Sequence, residues 1–216
     1  MSETAVRHPW FARYYARLSL RMEPEIGPYR RRLLAGLSGR VIEVGAGNGL
    51  NFAHYPPEVT HVHAVEPEPR LRALAAEQAA ELADETSTGI EVLDGVADQL
   101  PTDPMSFDAA VFSLVLCSVS DQAAALAEAR RVLRPGGQLR FFEHVRADSS
   151  GLRRVQRALD ATVWPRVAGG CHVGRDTATA IERAGFTITS IERLRVPDTR
   201  ITLPATPHIL GVASRG

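Results

Sequence analysis

A carboxylate placed two residues before a glycine-rich turn is the first arrangement in this chain with the makings of chemistry: Val41-Ile42-Glu43-Val44 runs straight into Gly45-Ala46-Gly47-Asn48-Gly49. Glycines let a backbone turn tightly and let a ligand approach with no Cβ in the way. A dinucleotide site would place a further glycine at position 50, where Leu50 stands, and would set no fixed anion beside a pyrophosphate. Opposite a sulfonium and an ammonium, the same carboxylate is favourable. The ligand implied is S-adenosylmethionine, with Glu43, Gly45 and Gly47 against it. Glu66, 19 residues beyond Gly47, ends the next β-rich run, where an acid accepts from both ribose hydroxyls. Further on, Gly95-Val96-Ala97-Asp98-Gln99-Leu100-Pro101 offers backbone groups at Val96 and Ala97 for an adenine edge, and Asp98 for its exocyclic amine.

These residues need a sheet to carry them. After residue 38, short β-branched runs alternate with helical stretches, the sequence form of βαβ units. Strands are expected over 40–44, 61–65, 90–93, 107–113 and 138–143, with helices over 68–83 and 121–133. Asp121 is expected to cap the second helix, and Arg134-Pro135-Gly136-Gly137 to stop it. A helix follows Asp176, expected as its N-cap, and strands over 186–194 and 208–213, with no helix between them, should pair antiparallel. Before residue 38 the pattern is helical: Trp10, Tyr14 and Leu18 recur at i, i+4, i+8, with Phe11 and Tyr15 beside them and arginines elsewhere on the wheel. That segment is expected as a lid over the cofactor and acceptor, and Arg30 to Arg32 as a solvated helix surface.

Composition removes several classes. The 216 residues are 44% hydrophobic and 23% charged, the balance of an ordinary globular protein, and one domain over 1–216 is expected. With 25 basic residues against 25 acidic, nothing global draws the chain to nucleic acid or an anionic surface. Every basic residue is arginine, so Schiff-base, pyridoxal and P-loop lysine chemistry are excluded. Cys117 and Cys171 have no C-x-x-C spacing, which argues against a disulfide framework or structural zinc and for a reducing compartment. No run approaches the roughly 18 apolar residues of a membrane span and no signal peptide opens the chain. A cytoplasmic protein without stable membrane insertion is expected, and nothing in the sequence assigns an oligomeric state.

The glycine loop, Glu66, Ala97-Asp98-Gln99-Leu100-Pro101, Phe107-Asp108 and Arg131-Val132-Leu133-Arg134-Pro135-Gly136-Gly137 together resemble the class I S-adenosylmethionine-dependent methyltransferases. That resemblance implies a Rossmann-like α/β fold: a seven-stranded, mostly parallel sheet with one antiparallel strand and helices on both faces. A narrower one spans nearly the whole chain. Asn51-Phe52, Tyr55-Pro56-Pro57, Leu114-Val115-Leu116-Cys117-Ser118-Val119, Glu143-His144-Val145, Trp164, Gly170-Cys171 and Pro207-His208-Ile209 are similar to the methyltransferase-like thiol S-methyltransferases. That family methylates small alkyl thiols; its animal members carry a hydrophobic amino-terminal anchor that is not expected here. The cofactor set is completed by Tyr14, Ala46, Asn51, Pro67, Ser113 and Leu114.

Methyl transfer is an in-line displacement at a sulfonium, so alignment and exclusion of water matter most. A thiol with a pKa of about 8.5 is already partly thiolate at neutral pH, and a modest base is enough. His144, at the end of the fifth strand, is the expected base, with Cys117 near the methyl donor. Residues 146–176 are read as an acceptor-pocket insertion; Trp164, Cys171 and His172, with Trp10 and Tyr15 from the lid, wall a small apolar acceptor. A metal on Cys171, His172 and His144 is set aside because adjacent Cys and His fit one tetrahedral site poorly. His61 and His63 read as ordinary sheet positions. The alternatives are N- or O-methylation of a small molecule or phospholipid headgroup, and a non-catalytic S-adenosylmethionine-binding module.

Overall fold

The computed structural model describes residues 9–198 and 202–216. Seven strands form one sheet: β1 (Gly39–Val44), β2 (Val59–Val65), β3 (Gly89–Leu93), β4 (Phe107–Ser113), β5 (Leu133–His144), β6 (Phe186–Arg195) and β7 (Pro207–Arg215), in the order β3-β2-β1-β4-β5-β7-β6. All pairings are parallel except those of β7, which runs antiparallel to both β5 and β6. The strand-to-strand step from β6 to β7, with no crossover helix, makes that reversal possible. The helices are α1 (Pro9–Leu34), α2 (Pro69–Leu82), α3 (Gln122–Val132), α4 (Ser150–Asp160), α5 (Trp164–Val167) and α6 (Thr177–Arg183).

Alternation along β1 divides the core into two layers, because successive side chains leave a strand on opposite faces. Val41 points with Val62, Ala109, Val111 and Phe142 toward Ile26, Leu33 and Leu34 of α1 and Ala75 of α2. Ile42 and Val44 point the other way, with Ala110, Phe112 and Phe141, onto Ala125, Leu126 and Ala129 of α3 and Ile181 of α6. Each fully buried Leu, Ile or Phe contributes about 1.5–3 kcal/mol of burial, so both faces must be covered for the sheet to stand. That covering leaves the strands' carboxyl ends as the open edge.

Local signals explain most of the boundaries. Asp121 caps α3 by accepting from Ala123 and Ala124 N–H at 2.8 and 3.1 Å. Glu68 precedes α2 as its cap, accepting from Leu71 N–H at 2.9 Å. Two expectations hold in position but differ in detail. Asp176 stands at the N-cap of α6, but its side chain makes no capping bond and pairs with Arg146 at 2.9 Å instead. The Arg134-Pro135-Gly136-Gly137 stretch does stop α3, but it already lies within β5, whose first residue is Leu133. No helix among the described residues is long and apolar enough to cross a membrane.

Helix α1 turns a different face inward from the one its aromatic spacing implies. Ala12, Ser19, Ile26, Arg30, Leu33 and Leu34 are buried along it, whereas Tyr14 is 61% exposed. A stripe one position round from the aromatics therefore meets the sheet edge, and small or polar residues set it. Arg30, read as solvated, is only 6% exposed: its guanidinium donates to Glu23 at 3.0 Å and to Asn51 Oδ1 at 2.9 Å. Arg31 and Arg32 are exposed as expected. The side chains of Trp10 and Phe11 lie outside the described residues.

Candidate active site

Three carboxylates stand at or near the carboxyl ends of β1, β2 and β5, and each ties down a loop. Glu66, directly after β2, accepts Gly47 N–H at 2.8 Å on one oxygen and Glu68 N–H at 3.0 Å on the other. Gly47 sits at φ +59° and Gly45 at φ +71°, where residues with a Cβ are strained. A Cβ on Gly45 would also meet the Val115 side chain at 2.6 Å. The loop thus keeps its backbone bare beside an acid. Glu43, inside β1, accepts Asn51 Nδ2–H at 2.7 Å and Tyr55 O–H at 2.8 Å, and Asn51 in turn takes the Arg30 guanidinium. Burial pushes the Glu43 and Glu66 carboxyls up to about 7, against the hydrogen bonds that favour their charged forms.

The third acid, Glu143 of β5, was legible in sequence only as part of a motif. One of its oxygens accepts Val115 and Leu116 N–H, both at 2.9 Å, and the other accepts Cys117 N–H at 3.1 Å. Convergence of three consecutive N–H groups on one carboxylate requires a sharp turn after β4. Leu114 supplies it at φ +62°, a left-handed conformation that a leucine holds only when its surroundings over-determine it. Burial pushes this carboxyl too up to about 7.

Around the glycine loop lies a narrow cleft of about 10 Å³, lined by Tyr15, Arg30, Glu43, Gly45, Asn51 and Ser113 among others. The Ser113 hydroxyl is buried there with no hydrogen-bond partner among the described residues, an open position for a polar ligand group. Tyr15 roofs the cleft: its ring stands 3.4 Å from where a Gly47 Cβ would be. Its phenol, raised above the ordinary tyrosine range by burial, lies within electrostatic reach of Arg30, Glu66, Cys117 and Glu43. The loop-facing tyrosine is thus Tyr15, and the expectation that Tyr14 joins it is not met, because α1 turns Tyr14 to solvent. Asn48 is drawn to the same helix by the Ser19 hydroxyl at 3.3 Å. Ala46 is buried in the loop, and its N–H, like that of Gly45, donates to Val65 O. Pro67 turns the chain after Glu66, its carbonyl accepting from Arg72. Val96 and Ala97 are half-buried and Asp98 is exposed, on a turn closed by Gln99 N–H to Val96 O at 3.1 Å.

A larger cleft, about 230 Å³, lies at the opposite edge of the sheet between Leu37, Asp108 and Gly137. Parallel α/β sheets bind ligands at their carboxyl edge. Asp108 there is already engaged by Arg40 N–H at 2.8 Å and by Arg134, so we assign that cleft no role in the chemistry.

The expected acceptor residues do gather. His144 Nδ1 lies 3.6 Å from Cys117 Sγ and 3.8 Å from Cys171 Sγ, and both thiols are free and buried. Trp164, which opens α5, packs on this cluster, and its indole helps to hold the Cys171 thiol below its ordinary range. Cys117 donating to Cys171 pushes the Cys171 thiol down and the Cys117 thiol up, so the pair shares its charge unequally. His172 is beside the cluster rather than in it: its ring bonds Gly170 O at 2.8 Å, and its N–H donates to Cys117 O at 2.8 Å. The metal set weighed from sequence therefore had the wrong third member, Cys117 taking the place of His172. His61 and His63 likewise gain a third neighbour, Glu91 on β3, in a more exposed group. His208, missed from sequence apart from its motif, lies tilted against His144 with ring centroids 4.3 Å apart.

A model of the methyltransferase domain matches residues 42–141 of this chain. Mouse thiol S-methyltransferase TMT1B is 37% identical over 212 residues, covering 94% of this chain and 85% of that protein. Human TMT1A is 32% identical over 217 residues with the same coverage. The chain belongs to their family and is an S-adenosylmethionine-dependent methyltransferase. Solved structures show the same fold at lower identity. A Thermotoga maritima S-adenosylmethionine-dependent methyltransferase superposes at TM-score 0.68, with 21% identity, 95% of this chain and 98% of that one. A geranyl diphosphate methyltransferase solved in complex with S-adenosylmethionine gives 0.65, with 15% identity and coverage of 99% and 93%. Bare glycine backbone, the unpartnered Ser113 hydroxyl and buried acids fit a polar cation carrying ribose, so the methyltransferase has residues to hold its cofactor.

The Glu143 arrangement carries a stability prediction. Glu143→Ala leaves three buried N–H groups without an acceptor, at about 1–3 kcal/mol for each such group. Denaturant unfolding should show a loss of at least about 3 kcal/mol, and Glu143→Gln, which keeps one carbonyl oxygen, a smaller one. A loss below about 1 kcal/mol in Glu143→Ala would show that this carboxylate does not hold the 114–117 turn.

Proposed function

We propose that this methyltransferase S-methylates a small apolar thiol. The observation that carries the reading is the pair of buried thiols facing His144 beside Trp164, with Cys117 within electrostatic reach of the Tyr15 that covers the glycine loop. Relatives named thiol S-methyltransferases over most of their length support it. Bound S-adenosylmethionine supplies an electrophilic methyl group on a sulfonium. Around it, Gly45, Ala46 and Gly47 give close backbone approach, Glu66 accepts from the ribose hydroxyls, and Glu43 offsets the cation with Asn51 holding it in place. Ser113 and Leu114 meet the methionine part, while Pro67, Val96, Ala97 and Asp98 frame the adenine.

His144 takes the proton of the acceptor thiol as its sulfur forms the new bond to carbon and the sulfonium bond breaks. Cys117 sits beside that proton, and Trp164, Cys171 and His172 wall the acceptor with Tyr15. The chain acts as one domain, in which 146–176 builds the acceptor pocket and 1–38 is the lid. A cleft of about 10 Å³ is far below the roughly 300–1,000 Å³ of ligand pockets, so Tyr15 and the first turns of α1 must withdraw for entry and return to exclude water. The acceptor is a small molecule rather than nucleic acid, and the setting is the cytoplasm, where two buried thiols stay reduced.

A screen with radiolabelled donor over alkyl thiols, amines and alcohols should place label in the thiols. Transfer confined to amines or alcohols overturns the acceptor assignment. For the lid, removal of residues 1–20 should lower kcat/KM by about tenfold or more, while apo Tm falls by less than about 4 °C. Comparable collapse of both would make the segment ordinary core.

A further inference from the structure

The donor atoms Cys117 Sγ, His144 Nδ1 and Cys171 Sγ all lie within 4.8 Å of one another. A tetrahedral zinc ion with Zn–S of about 2.3 Å and Zn–N of about 2.0–2.1 Å places sulfur and nitrogen about 3.6 Å apart, and two sulfurs about 3.8 Å apart. The two sulfur-to-nitrogen separations here, 3.6 and 3.8 Å, are close to the edges of that tetrahedron. We infer that Cys117, His144 and Cys171 form a binding site for one zinc-type divalent cation, with the fourth position left for the acceptor sulfur.

The donors come from three separate elements, each fixed by its own backbone. Cys117 is held by its N–H to Glu143 and by His172 N–H to its carbonyl. His144 ends β5, paired in register with His208. Cys171 N–H donates to Ala168 O at 3.1 Å just after α5. Such preorganisation lowers the cost of assembling ligands. Two thiolates and one imidazole select a borderline-soft cation over magnesium or calcium. Binding sends the two thiol protons to solvent and leaves a neutral centre of two thiolates, one neutral imidazole and a dication. Three protein ligands leave an open position, as in catalytic rather than structural zinc sites.

The second half of the inference rests on the thiol reading above and deepens it. An alkyl thiol entering the open position loses its proton to solvent and becomes a bound thiolate. It then takes the methyl group, with carbon–sulfur bond formation matched by cleavage of the sulfonium bond. The neutral thioether is a weaker ligand and leaves. With the cation in place, His144 is a ligand and the metal assumes the ionising role that the imidazole has without it.

Cobalt serves as the probe. The full chain, reduced and stripped with chelator, is titrated with Co²⁺ under anaerobic conditions and followed by absorption. A thiolate-to-cobalt charge-transfer band saturating at one ion per chain and abolished by Zn²⁺ is expected, and an alkyl thiol should perturb it without any turnover. Cys117→Ser, Cys171→Ser and His144→Gln should each weaken Co²⁺ binding by at least about tenfold while still binding S-adenosylmethionine, which shows that they fold. Absence of the band, or a mass lower by two hydrogens from a Cys117–Cys171 disulfide formed despite excess metal, overturns the site. Undiminished thiol methylation by demonstrably metal-free protein overturns the catalytic half and leaves the proposed function standing. A cobalt site without thiol methylation does the reverse.

Discussion

Everything at the working edge of this sheet depends on carboxylates kept out of water. Glu43, Glu66 and Glu143 are buried at or near the ends of β1, β2 and β5, and burial raises each to about 7. The N–H and O–H groups they collect offset part of that cost and in doing so fix the glycine loop, the 51–55 segment and the 114–117 turn. A folded-state value above the ordinary 4.5 means that the apo protein holds these protons more tightly than the unfolded chain does. Their contribution to stability is therefore full below about 4.5 and is lost as pH rises through about 7. His208, pushed down to about 3 mainly by burial, acts in the opposite sense, destabilising the fold as pH falls below the ordinary histidine range.

Such an arrangement is poor as a device for stability and well suited to a cationic ligand. A buried acid without a full counter-charge costs free energy that a bound sulfonium and ammonium recover. Arg30 bonds Asn51, which bonds Glu43, and its charge also favours the Glu43 carboxylate through space, so that carboxylate is steadied without a direct ion pair. The same helix brings Tyr15 over the glycine loop and within electrostatic reach of Cys117, so one tyrosine faces both the loop and the thiol pair.

The sheet was legible because β-branched runs alternate with helices at regular spacing, and because Glu43, Gly45, Gly47 and Glu66 fall at the strand ends where such folds bind ligands. Cys117, His144, Trp164 and Cys171 were drawn from motifs far apart in sequence, and the fold brings them together. The inward face of α1 was not legible. Amphipathic spacing locates a stripe only to within one residue when aromatic and small residues compete, and here Ala12, Ser19 and Arg30 took the buried side that Tyr14 was expected to hold. Arg30 shows a further limit: nothing local marks an arginine as buried when its partners, Glu23 and Asn51, lie on a helix turn and a distant loop. Glu143 escaped for a related reason, since its role depends on three N–H groups aligned by the backbone of Leu114. Asp176 is the converse case, a good capping residue that a nearby Arg146 drew away.

The claim that these buried acids are held ready for a cation is tested most directly by proton release on cofactor binding. Calorimetry of S-adenosylmethionine binding near pH 6, in buffers of different ionisation enthalpy, counts protons lost as Glu43 and Glu66 become carboxylates. The wild-type protein should release roughly one proton or more per cofactor, with affinity tightening as pH rises toward about 7, and Glu43→Gln should release clearly less. Binding with no proton release, at an affinity that does not change with pH, would contradict the account.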